Sequence, residues 1–170
     1  MDRADLEREL ERLHADSYTW ALACCRRDRD AAEEALQLAY LKVLDGKARF
    51  DGRSSLKTWL FGVIRRTAAE ERRRYWLRRR RFRNDAHPAV ADPGPSPDAQ
   101  IAEAERRARL LAAMRVLPRR QREVLELVFY HDLTIAEAAA VMAVSLGAAR
   151  RHYERGKARL RRELGSEDRP

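Results

Sequence analysis

The chain has 170 residues, with 36 Lys and Arg against 27 Asp and Glu, for a formal net charge of +9. Its 45% hydrophobic content is ordinary for a folded protein, and no apolar run approaches the roughly 18 residues of a membrane span. Two cysteines exclude a disulfide scaffold and a four-cysteine zinc site, and seven scattered glycines offer no phosphate-cradling loop. The first 20 residues are too charged for a signal peptide, so a soluble, cytoplasmic, helical protein is expected.

Three helical stretches are predicted in the N-terminal half. The first runs from about Asp2 to Arg26, with Leu6, Leu10, Leu13, Ser17 and Trp20 on one stripe. The second covers about residues 30–45, is capped by Asp28 or Asp30, and ends at Gly46. Its core face is Leu36, Ala39, Tyr40, Val43 and Leu44. Glu34, Leu38 and Leu41 fall on the opposite face, flanked by Glu33 and Gln37, a pattern that fits either a partner surface or two ordinary exposed leucines. After the loop KARFDGRSS, Ser54 or Ser55 caps a third helix with Leu56, Trp59, Leu60, Val63, Ile64 and Thr67 toward the core.

That helix runs into the first of two basic blocks. Residues 65–83 hold ten Arg and two Glu, a net of +8; residues 148–162 hold six Arg, one Lys and one Glu, a net of +6. The rest of the chain therefore carries −5. Two short basic blocks on an otherwise acidic chain point to a polyanion footprint, with solvated helix faces as the plainer alternative. A membrane-surface helix fits less well, because neither block has a wide apolar face.

Pro88, Pro93, Pro95 and Pro97 mark an extended linker over 84–99, which separates a domain at 1–83 from one at 100–165. The second domain opens with an Ala-, Glu- and Arg-rich helix over 100–115. Pro118 starts the next helix, whose buried stripe is Val124, Leu125, Leu127 and Val128. Thr134 and Glu137 form a capping box ahead of IAEAAAVMA, with Ile135, Ala138, Ala139 and Met142 inward. The turn Ala143-Val144-Ser145 follows, with Val144 as an expected core plug. The last helix then shows Arg150, Arg151, Glu154 and Arg155 outward. This is helix-turn-helix spacing, and such a helix fits the major groove of DNA. Lys157, Arg159, Arg161 and Arg162 are better placed for phosphates. The expected fold is all-α: two small helical domains joined by a Pro-rich linker, the second ending in a helix-turn-helix.

The stretch LPRRQREVLELVFYHDLTIAEAAAVMAVSLGAARRHYERGKARLR resembles the promoter −35-reading domain of bacterial sigma factors. AAEEALQLAYLKVL, the loop through Phe50, and SLKTWLFGVIRR resemble the domain of the same family that binds core polymerase and the −10 element. Two such domains in this order are similar to the extracytoplasmic-function group. The resemblance implies that Glu33, Glu34, Gln37, Leu38 and Leu41 dock on the clamp helices of core RNA polymerase. It implies that the loop with Arg49, Arg53, Ser54 and Ser55 meets a flipped −10 base, with Arg65, Arg66 and Arg73 along the −10 DNA. Ser145, Arg150, Arg151, His152, Glu154, Arg155 and Lys157 would read the −35 element of promoter DNA. Tyr75 and Trp76 offer rings for stacking single-stranded bases, against the plainer reading in which Tyr75 continues the core stripe of the third helix.

The sequence departs from the family pattern in four places. Glu34-x-x-Gln37-Leu38 stands where Asp-x-x-Gln-Glu is usual, and Arg66 where an Asn is common. Gly147-Ala148-Ala149 replaces Gly-Thr-Val, and His152 replaces an Arg. The missing acid at Leu38 would be recovered by phosphorylation of Ser54, Ser55 or Thr58 by a Ser/Thr kinase, or made unnecessary by Glu33 and Glu34. A separate anti-sigma factor is the other expected regulator.

An enzyme is not expected. His14, His87, His131 and His152 lie in different segments, adjacent Cys24 and Cys25 cannot share a helix face, and nothing asks for a cofactor, metal, small-molecule substrate or membrane partner. The alternative reading is a helix-turn-helix regulator that acts as a dimer on a palindrome, without a sigma role.

Overall fold

The computed structural model describes residues 2–81 and 99–165. These form eight α-helices and, among the described residues, no strand. The predicted linker lies outside the described residues except for Ala99, as does His87. The chain divides into two compact units: α1 to α4 build the first, and α5, α6, α8 and the first five residues of α7 belong to the second.

The first unit opens with α1 (Arg3–Arg12) and α2 (His14–Cys24), where the sequence predicts one helix. They part at Leu13, whose φ of −90° and ψ of 1° leave the helical region. The ladder nevertheless continues across it: Leu13 N–H donates to Glu9 O at 3.0 Å, and Ser17 N–H to Leu13 O at 2.8 Å. No Gly or Pro marks the kink, so periodicity alone reads through it. Arg26 and Arg27 then take positive φ, 58° and 66°, and turn the chain so that Asp28 caps α3 (Arg29–Leu44). Asp28 Oδ1 accepts the Ala31 N–H at 3.1 Å, so Asp28 rather than Asp30 is the cap.

Ser55 caps α4 (Leu56–Arg81), its Oγ accepting the Thr58 N–H at 3.1 Å. α2, α3 and α4 pack on one another around Trp20, Leu60, Phe61 and Ile64, all fully buried. The Trp20 indole N–H donates to Phe61 O at 3.0 Å, and its ring stacks on Phe61 at 5.8 Å. Burying the indole therefore leaves no donor unpaired. Because both α2 and α3 rest on α4, its buried arc is wider than the predicted stripe. Phe61, Arg65 and Ala68 join Leu60, Val63, Ile64 and Thr67 in burial, whereas Leu56 and Trp59 are half-buried. Lys57 ties α4 to α2, with Nζ 2.7 Å from Asp16 Oδ2 and 5.6 Å from the Phe61 ring centre.

The second unit comprises α5 (Ala99–Arg115), α6 (Arg119–Phe129), α8 (Leu146–Gly165) and the first five residues of α7 (Ile135–Met142). Pro118 sits at the N-cap of α6, its carbonyl accepting the N–H groups of Gln121 and Arg122. Val124, Leu125 and Leu127 are buried, and α8 packs across α6 and α5. The crossing with α6 is made at Gly156. A Cβ there would lie 3.1 Å from Leu125 Cδ1 and 3.3 Å from Gln121 O.

The capping box of α7 forms as its spacing predicts: Glu137 Oε2 accepts Thr134 N–H at 2.9 Å, and Thr134 Oγ1 accepts Glu137 N–H at 3.2 Å. Ala143 closes α7 at φ 52°, and Ser145 Oγ caps α8 by accepting Ala148 N–H at 3.2 Å. Ala138, Ala139 and Met142 are buried, but Val144, the predicted plug, is only half-buried.

Candidate nucleic-acid interface

The helix-turn-helix presents one side of α8. Arg150, Arg151, Glu154 and Arg155 are all exposed, at the i, i+1, i+4, i+5 positions of a single face. Exposed Ala158, Arg161 and Arg162 continue that face toward the C-terminal end. Ser145 is exposed at the N-cap. His152 and Lys157 are half-buried and flank the face; Lys157 lies 4.6 Å from the Tyr153 ring centre and 3.2 Å from Glu154. Tyr153 in turn stacks on Phe129 of α6 at 5.8 Å.

The first unit carries a second basic site. The end of α3, the following loop and α4 enclose a groove of about 510 Å³ lined by Lys42, Lys47, Ala48, Arg49, Trp59, Val63, Arg66, Thr67 and Glu70. Arg49 and Arg66, two of the residues assigned to −10 DNA, converge here. Lys42 spans the floor, its Nζ 3.1 Å from Thr67 Oγ1 and 2.6 Å from Glu70 Oε2. Phe50 braces Trp59, with ring centres 5.4 Å apart. At 100° per residue, Trp59, Val63, Arg66, Glu70, Arg73 and Leu77 form one stripe along α4, so exposed Arg73 extends the groove by a turn.

Other predicted residues lie elsewhere. Arg53 is exposed beside Asp51 at 3.4 Å, Ser54 is half-buried, and Ser55 is committed to the α4 cap. Arg65 is buried, with 8% exposure, about 100° around α4 from exposed Arg66, which removes most of its guanidinium from any DNA surface. Thr58 is 2% exposed with its hydroxyl bonded to Ser55 at 2.8 Å, a poor position for a kinase substrate. Tyr75 and Trp76 are about half exposed, at 50% and 55%, although Tyr75 is in register with the core stripe. Neither shares the stripe that lines the groove.

Glu33, Glu34 and Gln37 are exposed on α3, together with Leu41 at 54%; Leu38 is half-buried between them. Cys24 is buried and Cys25 is half-buried with its thiol 3.5 Å from Ala31 O. No cluster of metal-ligating residues occurs among the described residues.

The sequence pattern assigns no site role to Lys42, Lys47, Trp59 or Glu70. The signal for Glu70 was available in the α4 stripe through Arg66 and Arg73. Lys42 and Lys47 required knowing that α3 lies against α4, which spacing within one helix does not tell.

Residues 10–82 match the Sigma-70 region 2 family, and residues 107–160 match Sigma-70, region 4. The ECF RNA polymerase sigma factor SigX of Bacillus subtilis is 30% identical over 155 residues, 89% of this chain and 79% of that protein. The probable RNA polymerase sigma factor RfaY of Xanthomonas campestris pv. campestris is 31% identical over 145 residues, 81% of this chain but only 35% of that longer protein. The fold is shared with the sigma factor RpoE from Bartonella quintana, solved in complex with the anti-sigma factor NepR. The TM-score is 0.76 at 23% identity, covering 97% of this chain and 99% of that one. The two matched regions stand in the order and on the helices that carry the basic groove and the helix-turn-helix, and the chain belongs to the ECF RNA polymerase sigma factors.

Proposed function

We propose that this sigma factor joins core RNA polymerase through the outer face of α3, takes the −10 element into the groove beside α4, and reads the −35 element with α8. Its domains on this reading are 1–83 and 100–165, joined by 84–99. Glu33, Glu34, Gln37, Leu38 and Leu41 meet the polymerase. Arg49, Arg66 and Arg73 meet the −10 strand, with Arg53, Ser54 and Ser55 at its edge. Arg65 serves the α4 core instead of DNA. Arg150, Arg151, His152, Glu154 and Arg155 face the −35 bases; Ser145 and Lys157 approach the backbone.

The observation that carries this reading is the second basic site. A dimeric helix-turn-helix regulator needs one DNA face per chain, whereas this chain has α8 and, in a separate unit, a groove where Arg49 and Arg66 meet. Flipping a base out of the stack costs a few kcal/mol, and a cationic pocket with an aromatic wall offsets it.

Regulation by a separate anti-sigma factor fits the same reading, as seen for the Bartonella relative. Ser54 is the one of the three predicted hydroxyls free of a role in the α4 cap, so a kinase acting here would act on Ser54.

Gel filtration with bacterial core RNA polymerase, followed by transcription from a promoter library, tests the proposal. Co-elution and defined start sites are expected. A free dimer that binds palindromic DNA without polymerase would overturn it. Tight binding by unmodified protein would remove any need for phosphorylation.

A further inference from the structure

The groove holds one acid among four cations: Glu70 beside Lys42, Lys47, Arg49 and Arg66. A surface that serves only to attract phosphates gains nothing from a carboxylate in its wall, because the like charge opposes the strand. Glu70 is also fixed in place. Lys42 Nζ holds Oε2 at 2.6 Å and is itself held by Thr67 Oγ1 at 3.1 Å. An ammonium has three protons and a carboxylate about four lone-pair sites, so this pair in the groove lining retains one donor and several acceptor positions. A hydrogen-bonding pair of opposite sense in the lining of this groove is what reads a base edge, as opposed to a phosphate.

We propose that Glu70 is a specificity-determining residue, whose carboxylate accepts from the exocyclic amino group of a base lodged in the groove. The inference rests on the reading of the groove as the −10 site. Lys42 positions the carboxylate and donates to the adjoining ring acceptor. Cytosine, adenine and guanine each offer an amino group. Thymine does not; its one edge donor, the ring imide N–H, lies between two carbonyl oxygens that repel a carboxylate. The groove therefore selects against thymine at the captured position.

The test uses the full chain reconstituted with core RNA polymerase and a promoter library randomised across the −10 element, comparing wild type, Glu70→Gln and Glu70→Ala. Wild type should disfavour thymine at one position by about tenfold, the discrimination of a single good polar pair to a base edge. Glu70→Ala should bring that position to within about twofold of indifference and leave other −10 positions and the −35 preference unchanged. Glu70→Gln, which can still accept from Lys42 but adds a donor, should raise thymine further. A uniform rise or fall across the library would overturn the proposal and leave Glu70 as a charge in the wall or a packing residue. So would a wild-type profile that does not change in either variant. A wild type that joins core polymerase yet initiates at no promoter would instead sink the −10 reading, and this inference with it. Equal thermal melts of the three proteins establish that a changed profile is not a changed fold.

Discussion

Ala143 holds a φ of 52° in the turn between α7 and α8, the left-handed region where an L side chain is strained by roughly 1–2 kcal/mol. Glycine has no such strain but makes the unfolded chain more flexible, at a cost of about 0.4–1 kcal/mol. The exposed methyl packs on little, so the strain decides. Ala143→Gly should stabilise the helix-turn-helix by about 0.5–1 kcal/mol, read as a later thermal or urea transition. Cys25 gives a second single-residue expectation. Burial, reinforced by Asp28 and opposed by Arg72, pushes its thiol up from 9.0 to about 11. A folded value above the unfolded one makes the thiol's stability contribution complete below about pH 9; it is lost as pH rises to about 11. Melts should weaken across that window, and Cys25→Ser should flatten the loss. At pH 8, Cys25 should react with iodoacetamide at least about tenfold more slowly than a free cysteine, as mapped by mass spectrometry. Neither residue was legible in this role from sequence. Ala143 was visible as the small residue of a turn, but its φ depends on how α7 ends. Cys25 reads as core filler until Asp28 and Arg72 are known to be its neighbours.

At the scale of elements, Gly156 shows how a helix interior can need the residue that suits it least. Glycine disfavours a helix by about 1 kcal/mol relative to alanine, so Gly156→Ala in isolation should stabilise α8. Here the added methyl would meet Leu125 Cδ1 at 3.1 Å and Gln121 backbone O at 3.3 Å. Leu125 can turn aside; the α6 backbone cannot, and overpacking of this kind costs typically about 1–3 kcal/mol. Gly156→Ala should therefore lower stability by about 1 kcal/mol net, whereas Ala158→Gly, two residues on and exposed, should cost only the propensity. Paired denaturant titrations distinguish the two. The helices themselves were largely readable because local signals agree with tertiary packing: Asp28 and Ser55 cap from among the candidates their spacing offers, and Thr134 with Glu137 forms the predicted box. What spacing could not convey was which helix faces meet. That is why Arg65 reads as a DNA contact when it is buried, Phe61 falls off the predicted stripe, and Lys42 goes unnoticed.

For the molecule as a whole, charge placement divides the work between surfaces. The net +9 is the residue of two blocks of +8 and +6 against a remainder of −5, so attraction to DNA is local while the α3 face stays acidic and apolar. Leu41, half exposed beside Glu34 and Gln37, makes no demand on the fold. Leu41→Asp should leave the melt unchanged within about 0.5 kcal/mol. It should abolish co-elution with core polymerase, because an unpaired carboxylate would be buried in the joint. The two kinds of arginine on α8 should separate in a salt series on the reconstituted enzyme. On the proposed reading, Arg151, toward the N-terminal part of the exposed face, meets base edges, and Arg161, near its other end, meets the backbone. Each phosphate neutralised releases counterions, so binding falls with salt at a logarithmic slope near −0.9 per contact. Arg161→Ala should thus weaken binding to every promoter alike and lower the slope by about 1. Arg151→Ala should cost about 1–3 kcal/mol on a matched −35 element and little on a mismatched one, since it removes discrimination more than charge. If instead both variants changed the slope and neither changed the −35 preference, α8 would be an electrostatic anchor. Promoter choice would then rest with the groove on the first unit, where Glu70 →Ala would be the decisive comparison.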